Sequence, residues 1–243
     1  MWRGRAVPPS VTSFDDGAAA GPESSGTSTV PFVPSAVEMF VLRQIGSGES
    51  PLPVLPDLPG ESMETRVRAA RASLAGAVRR YAVQAARLLR RGETVARVCE
   101  TAATALGLAE PHALLAGLSH NTGGLWLLGI ADRLAEPATN DTILALLSSY
   151  QGAASVQLAE RWGLPADVVL GCRETGWRVA RHPAERLVRL GMGLAPAVEA
   201  RLDGGAADWS DVQDLGVAPG LAMQIVRDSA AALADYGVVT SAL

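Results

Sequence analysis

The 243-residue chain contains no lysine: all 21 of its basic residues are arginine. We read that as a bias of genomic composition and attach no mechanism to it. Two cysteines, Cys99 and Cys172, are too few for a disulfide framework or a cysteine-based zinc site, and fit a reducing, cytoplasmic setting. Three histidines, His112, His120 and His182, exclude a histidine-rich metal site. Aromatic residues make up only 5%, so the core must be built from Ala, Leu and Val rather than from rings. No run of about 18 uninterrupted apolar residues occurs, so no membrane-spanning helix is expected. The basic start at residues 1–5 leads into Pro, Ser and Asp instead of an apolar stretch, which argues against a secretory signal. A formal charge of −4 gives no overall pull towards nucleic acid or an anionic membrane.

What is present divides the chain in two. Residues 1–60 are rich in Pro, Gly and Ser, a composition that buries too little apolar surface to offset the entropy of ordering. They are expected to form a disordered tail with one short amphipathic helix over 35–45, started by Ser35 and carrying Val37, Phe40, Val41 and Ile45 on one side. The stretch from Leu52 to Pro59 has too many prolines to be helical and reads as an extended linker. Residues 61–240 show helical periodicity throughout, and about nine or ten helices joined by short turns predict one all-α domain. A long first helix from Ser62 is expected to end near Gly92, and a second to run from Glu93 to Leu106 with Gly107 as its left-handed stop. Breaks are expected at Gly123-Gly124, between Tyr150 and Ala153, and at the Gly163-Leu164-Pro165 corner. Further helices are expected over 183–202, 209–215 and 219–236.

Three stretches carry a family resemblance. The block from Ala113 to Leu125, with Ser119-His120-Asn121-Thr122-Gly123-Gly124 at its centre, resembles the "AGLLHDIGKL" block of HD-superfamily phosphohydrolases. Ala159 to Pro165 resembles the "W-G-L-P" corner of the HDOD subfamily, the HD-related output domains. Asp214 to Pro219, with the helix that follows, is similar to the HDOD closing helix. The resemblance spans Gly92 to Gly237 and implies a truncated or divergent member, since only residues 62–91 and 35–45 stand where the family has a further helical portion.

HD enzymes hold one or two divalent ions with imidazole and carboxylate groups that fix the metal and polarise its water. Carried over position by position, the early-helix histidine falls near Glu93 or Thr94, and His120 keeps its place. The partner aspartate has become Asn121, a far poorer ligand for a divalent cation. A later pair falls in Cys172-Arg173-Glu174-Thr175-Gly176, and the late aspartate falls near Gly191-Met192-Gly193, which has no side-chain oxygen. Gln151 stands where HDOD members often have histidine. No catalytic residue, metal or cofactor is therefore expected. We read His120 as a helix-end residue that hydrogen-bonds backbone carbonyls rather than as a ligand.

Other constellations carry less. Ser119 and His120 are helix neighbours and point apart, so they make no dyad. Cys99 reads as a small buried hydrophobe, and Ile45-Gly46-Ser47-Gly48 lacks the lysine of a phosphate loop. Nine arginines against two glutamates between Glu64 and Arg97 make the first helical hairpin basic. We take this as a solvated face rather than a nucleic-acid surface, since the arginines are spread around the helix and no aromatics interleave with them. Trp126 and Trp162 are expected in the core, and Trp177 and Trp209 sit near loops where they can line a cleft or an interface, with a core role preferred for all but Trp177. The resemblance thus implies a non-catalytic module of bacterial signal transduction with a protein partner and a small-molecule or nucleotide effector, and no membrane association. Its candidate cavity is lined by Glu93, His120, Asn121, Gln151, Glu174 and Trp177. The alternatives from other classes are a divergent metal-dependent phosphohydrolase acting on nucleotides or cyclic dinucleotides, with Glu93, His120 and Glu174 as a makeshift site, and a nucleic-acid-binding regulator using the arginine-rich hairpin.

Overall fold

The structure, a computed structural model, describes residues 35–173, 182–207, 209 and 215–235. Among these residues there are nine α-helices and no strand: α1 (Ala36–Gly46), α2 (Met63–Ala77), α3 (Ala82–Ala105), α4 (Ala113–Ser119), α5 (Thr122–Ala131), α6 (Asn140–Arg161), α7 (Ala166–Gly171), α8 (Pro183–Leu202) and α9 (Pro219–Asp235). The all-α expectation holds. No helix is long and apolar enough to cross a membrane among the residues described. The helix expected over 209–215 falls largely outside the described residues, as does the tail ahead of Ser35.

Local chemistry explains several helix ends. Ser35, Ser62 and Thr139 cap α1, α2 and α6, each accepting a hydrogen bond from a backbone N–H of the first turn, and Glu38 completes a capping box with Ser35. Pro183 opens α8, where its missing N–H costs nothing. Gly107 and Gly163, both with positive φ, stop α3 and α6 in the same way. At each stop the N–H after the glycine returns to a carbonyl in the last turn, Leu108 to Ala103 O and Leu164 to Ala159 O.

The core is organised around α3, whose Val95, Ala96, Val98, Cys99 and Ala102 are fully buried. It packs against α8, α4 and α9, with α2 and α5 on the remaining flank, while α6 lies on α5. With few rings available, small residues let helices approach closely. A Cβ on Gly117 of α4 would sit 2.7 Å from Ala96 N of α3, and one on Gly123 of α5 would sit 2.5 Å from the Ala154 carbonyl carbon of α6.

Three expected breaks lie elsewhere. The first long helix does not run to Gly92: it ends at Ala77, and α3 passes straight through Gly92. The interruption is at Val78–Tyr81, where Val78 is extended and buried and the Asp132 carboxylate accepts from the backbone N–H groups of Arg79 (3.1 Å) and Arg80 (2.7 Å). Gly123 and Gly124 are not a break but part of α5, where the first accepts the close approach of α6. Likewise α6 continues through Gly152, which is buried.

Residues 35–60 differ from the tail expected of them, because they are part of the body. Val41 of α1 is fully buried, α1 packs on α5 and α6, and Leu55 of the proline-rich segment is buried as well. Arg133 bonds the buried Ser50 hydroxyl, Trp162 bonds Pro53 and Arg66 bonds Pro56. Composition misleads here because the leucines between the prolines supply the apolar surface that the average hides.

Candidate functional site

The sequence-expected centre at His120 and Asn121 forms the junction of α4 and α5, and its dominant feature is a buried arginine that the sequence reading did not single out. Arg71 of α2 is 1% exposed. Its Nη1 donates to Leu118 O, to Asn121 Oδ1 (2.6 Å) and to Thr122 Oγ1 (3.0 Å), and its Nη2 donates to Leu88 O (3.1 Å). Leu118 lies in the last turn of α4, whose carbonyls have no intrahelical partner and whose dipole end is negative, so a guanidinium there is well placed. Asn121 closes the network by donating from Nδ2 to Leu88 O at 2.8 Å. Burial lowers the Arg71 pKa to about 10, with the Glu93 charge acting the other way, which leaves the group a cation at neutral pH.

Gly92 explains how a guanidinium fits against a helix. A Cβ at that position would overlap Nη2 and lie 2.6 Å from Arg71 Cζ and 2.9 Å from Asn121 Oδ1. Glycine inside α3 is therefore a seat for Arg71 rather than a helix stop. The spacing did contain a signal for Arg71: it falls between Ala70 and Leu74 on the stripe begun by Val67, and not on the outer face with the other arginines.

His120 is 6% exposed, and its Nδ1 lies 2.6 Å from Gly117 O. A carbonyl can only accept, so Nδ1 carries a proton. Burial first, then the Arg71 and Arg91 charges, push its pKa down to about 4 against the carbonyl bond that raises it. Glu93 makes a two-oxygen contact with Arg68 Nε at 3.1 and 3.2 Å. Gln151 of α6 is half-buried beside Gly124, with its Oε1 2.7 Å from where a Cβ on Gly124 would be. Cys172, at the end of α7, has its thiol pKa pushed up to about 12 by burial, with the Arg71 charge opposing.

Asn121 thus meets Arg71 by a hydrogen bond, while the Glu93 charge favours the Arg71 cation and the Arg71 charge disfavours protonation of His120. Gln151 joins them only through Gly124 and Leu88, which also flanks that glycine. Glu174 and Trp177 lie outside the described residues. Among the described residues no three His, Cys, Asp or Glu side chains converge on one point. Trp126 and Trp162 are buried in the core, and Trp209 packs against it.

A divalent ion beside Asn121 Oδ1 would stand about 4 Å from a permanent positive charge. At the effective dielectric of a protein interior that repulsion is on the order of 8 kcal/mol. Of the arginine-rich hairpin, Arg68, Arg90, Arg91 and Arg97 pair with Glu93, Asp203, Glu199 and Glu100. No protein-family model, curated protein or solved structure matches the chain.

Proposed function

We propose that this chain is an HDOD-like helical domain, akin to HD-superfamily phosphohydrolases, that has left catalysis behind and works as an interaction module in bacterial signal transduction. The reading rests on the resemblance of the Ala113–Leu125 block and the Trp162 corner. It is supported by a single structural observation: the guanidinium of Arg71 on Asn121 Oδ1. On this reading Arg71 supplies, as part of the chain, the positive charge that an enzyme of the family obtains from a metal ion. A tethered cation whose two Nη groups are held by helix carbonyls and by the Asn121 and Thr122 side chains organises α2, α3, α4 and α5 but polarises no water. The centre then serves recognition: it fixes the relative positions of helices whose outer surfaces meet a cytoplasmic protein partner, and a small-molecule or nucleotide effector acts by shifting those helices.

The test is hydrolysis of a generic phosphodiester, bis(p-nitrophenyl) phosphate, by the full chain with millimolar Mn²⁺. The expected result is no turnover above buffer. Turnover that vanishes in His120→Ala would overturn the reading and restore the phosphohydrolase.

A further inference from the structure

Residues 52–60 form a three-residue repeat, Leu52-Pro53-Val54, Leu55-Pro56-Asp57 and Leu58-Pro59-Gly60. Three residues per turn is the period of the left-handed polyproline II helix, which makes no internal hydrogen bonds and leaves its carbonyls free. The structure keeps this period over residues 52–57, and Leu58 then opens a turn in which the Glu61 N–H donates to Leu58 O (3.1 Å) with Gly60 at positive φ. Leu55 is 8% exposed and Leu52 packs against the core, whereas Val54 is 79% exposed and Asp57 is exposed. The carbonyls follow the same spacing: Trp162 donates from Nε1 to Pro53 O at 2.8 Å, and Arg66 donates from Nε to Pro56 O at 2.8 Å. Two carbonyls three residues apart, each held by a side chain of the body with an apolar residue seated between them, match the mode in which proline-rich peptides lie on aromatic-lined grooves. Prolines 53, 56 and 59 have no N–H to offer in return, so leucine burial and these side-chain donors hold the segment.

We propose that the surface carrying the Trp162 and Arg66 donors is a recognition site for extended Leu-Pro-x segments, filled by the chain's own residues 52–57, and that a partner protein displaying such a segment takes the site over. The inference stands on the repeat and the two donors and does not depend on the family resemblance. Helices on both sides are anchored independently: Val41 of α1 and Val67 of α2 are fully buried. Only the intervening loop has to lift. Because that loop is tethered at both ends, it competes at an effective concentration in the millimolar range, and a free peptide binds weakly until the resident copy is loosened.

The experiment follows the fluorescence anisotropy of a labelled peptide of residues 50–61 added to the full chain. Leu55→Ser, and separately Leu52→Ser with Leu58→Ser, are expected to raise peptide affinity roughly tenfold or more over the native chain. Trp162→Phe in either background, which keeps a ring but removes the N–H, is expected to cancel the gain. Loosened variants that keep native helical circular dichroism yet bind no tighter than the native chain would overturn the proposal. So would equal binding of a peptide with its leucines replaced by serine. If the variants do not fold, the native chain decides: millimolar peptide either shifts the Trp162 indole N–H resonance, supporting the site, or leaves it unchanged, refuting it. A concentration-dependent dimer of the loosened chain without peptide binding would place the ligand on a second copy and overturn the assignment to a separate partner.

Discussion

At the scale of single residues, the centre of the molecule is built on groups held away from their ordinary protonation behaviour. His120 is neutral because burial and the nearby arginine charges oppose its protonation, moving its pKa from 6.5 to about 4. The unfolded chain has no such penalty, so below pH 6.5 it takes up a proton that the folded chain refuses. His120 therefore lowers stability as the pH falls from 6.5 towards 4, by about 3 kcal/mol at most, and has no such effect above that range. Urea unfolding of the native chain and of His120→Gln at pH 7 and pH 4.5 checks this. The native chain should lose more stability between the two pH values than the variant, and equal losses would show that the ring is protonated in place. His120 was legible in the sequence as a helix-end residue on a carbonyl. Arg71 was not, because an arginine on an apolar stripe reads as an exception until the acceptors that surround it are known, and Leu118 O and Leu88 O are backbone atoms that no sequence pattern advertises.

At the scale of elements, the Arg71 contact explains why Gly92 lies inside a helix at an interface and not at a helix end. In an open helix position, Gly→Ala stabilises by up to about 1 kcal/mol; Gly129 of α5, with nothing near its missing Cβ, is such a position. At Gly92 the sign should reverse. The new methyl group meets the guanidinium, and the flexible end of Arg71 cannot simply swing away, since its charge is buried and both Nη groups are hydrogen-bonded. Chemical denaturation should give a loss of about 2 kcal/mol for Gly92→Ala beside a gain or no change for Gly129→Ala. Removing Arg71 in the same chain as Gly92→Ala should make the glycine substitution close to neutral. A stabilising Gly92→Ala would mean that Arg71 does not lie on α3. These glycines also show where the sequence stopped being readable. Gly107 and Gly163 were recognised as stops because the helical pattern lapses after them. Gly92 and Gly123 read as stops because a glycine needed for close approach has the same local signature as one needed for a positive φ. What separates the two is the partner helix, which is distant in sequence.

At the scale of the whole molecule, periodicity alone was enough for the all-α class, since long amphipathic patterns with Ser, Thr and Gly at their ends leave little room for a sheet. The membership of residues 35–60 in the body was not legible, because a Leu-Pro-x segment is indistinguishable from a linker until a Trp162 N–H is found pointing at its carbonyls. The central claim is that a tethered guanidinium, and not a metal ion, occupies the place beside Asn121. Elemental analysis of the full chain, purified without chelators and dialysed against Mn²⁺, Fe²⁺ and Zn²⁺ in turn, tests it most directly. The expected result is substoichiometric metal in every case, unchanged by Asn121→Ala. One equivalent of any of these ions retained by the native chain and lost in Asn121→Ala would contradict the claim.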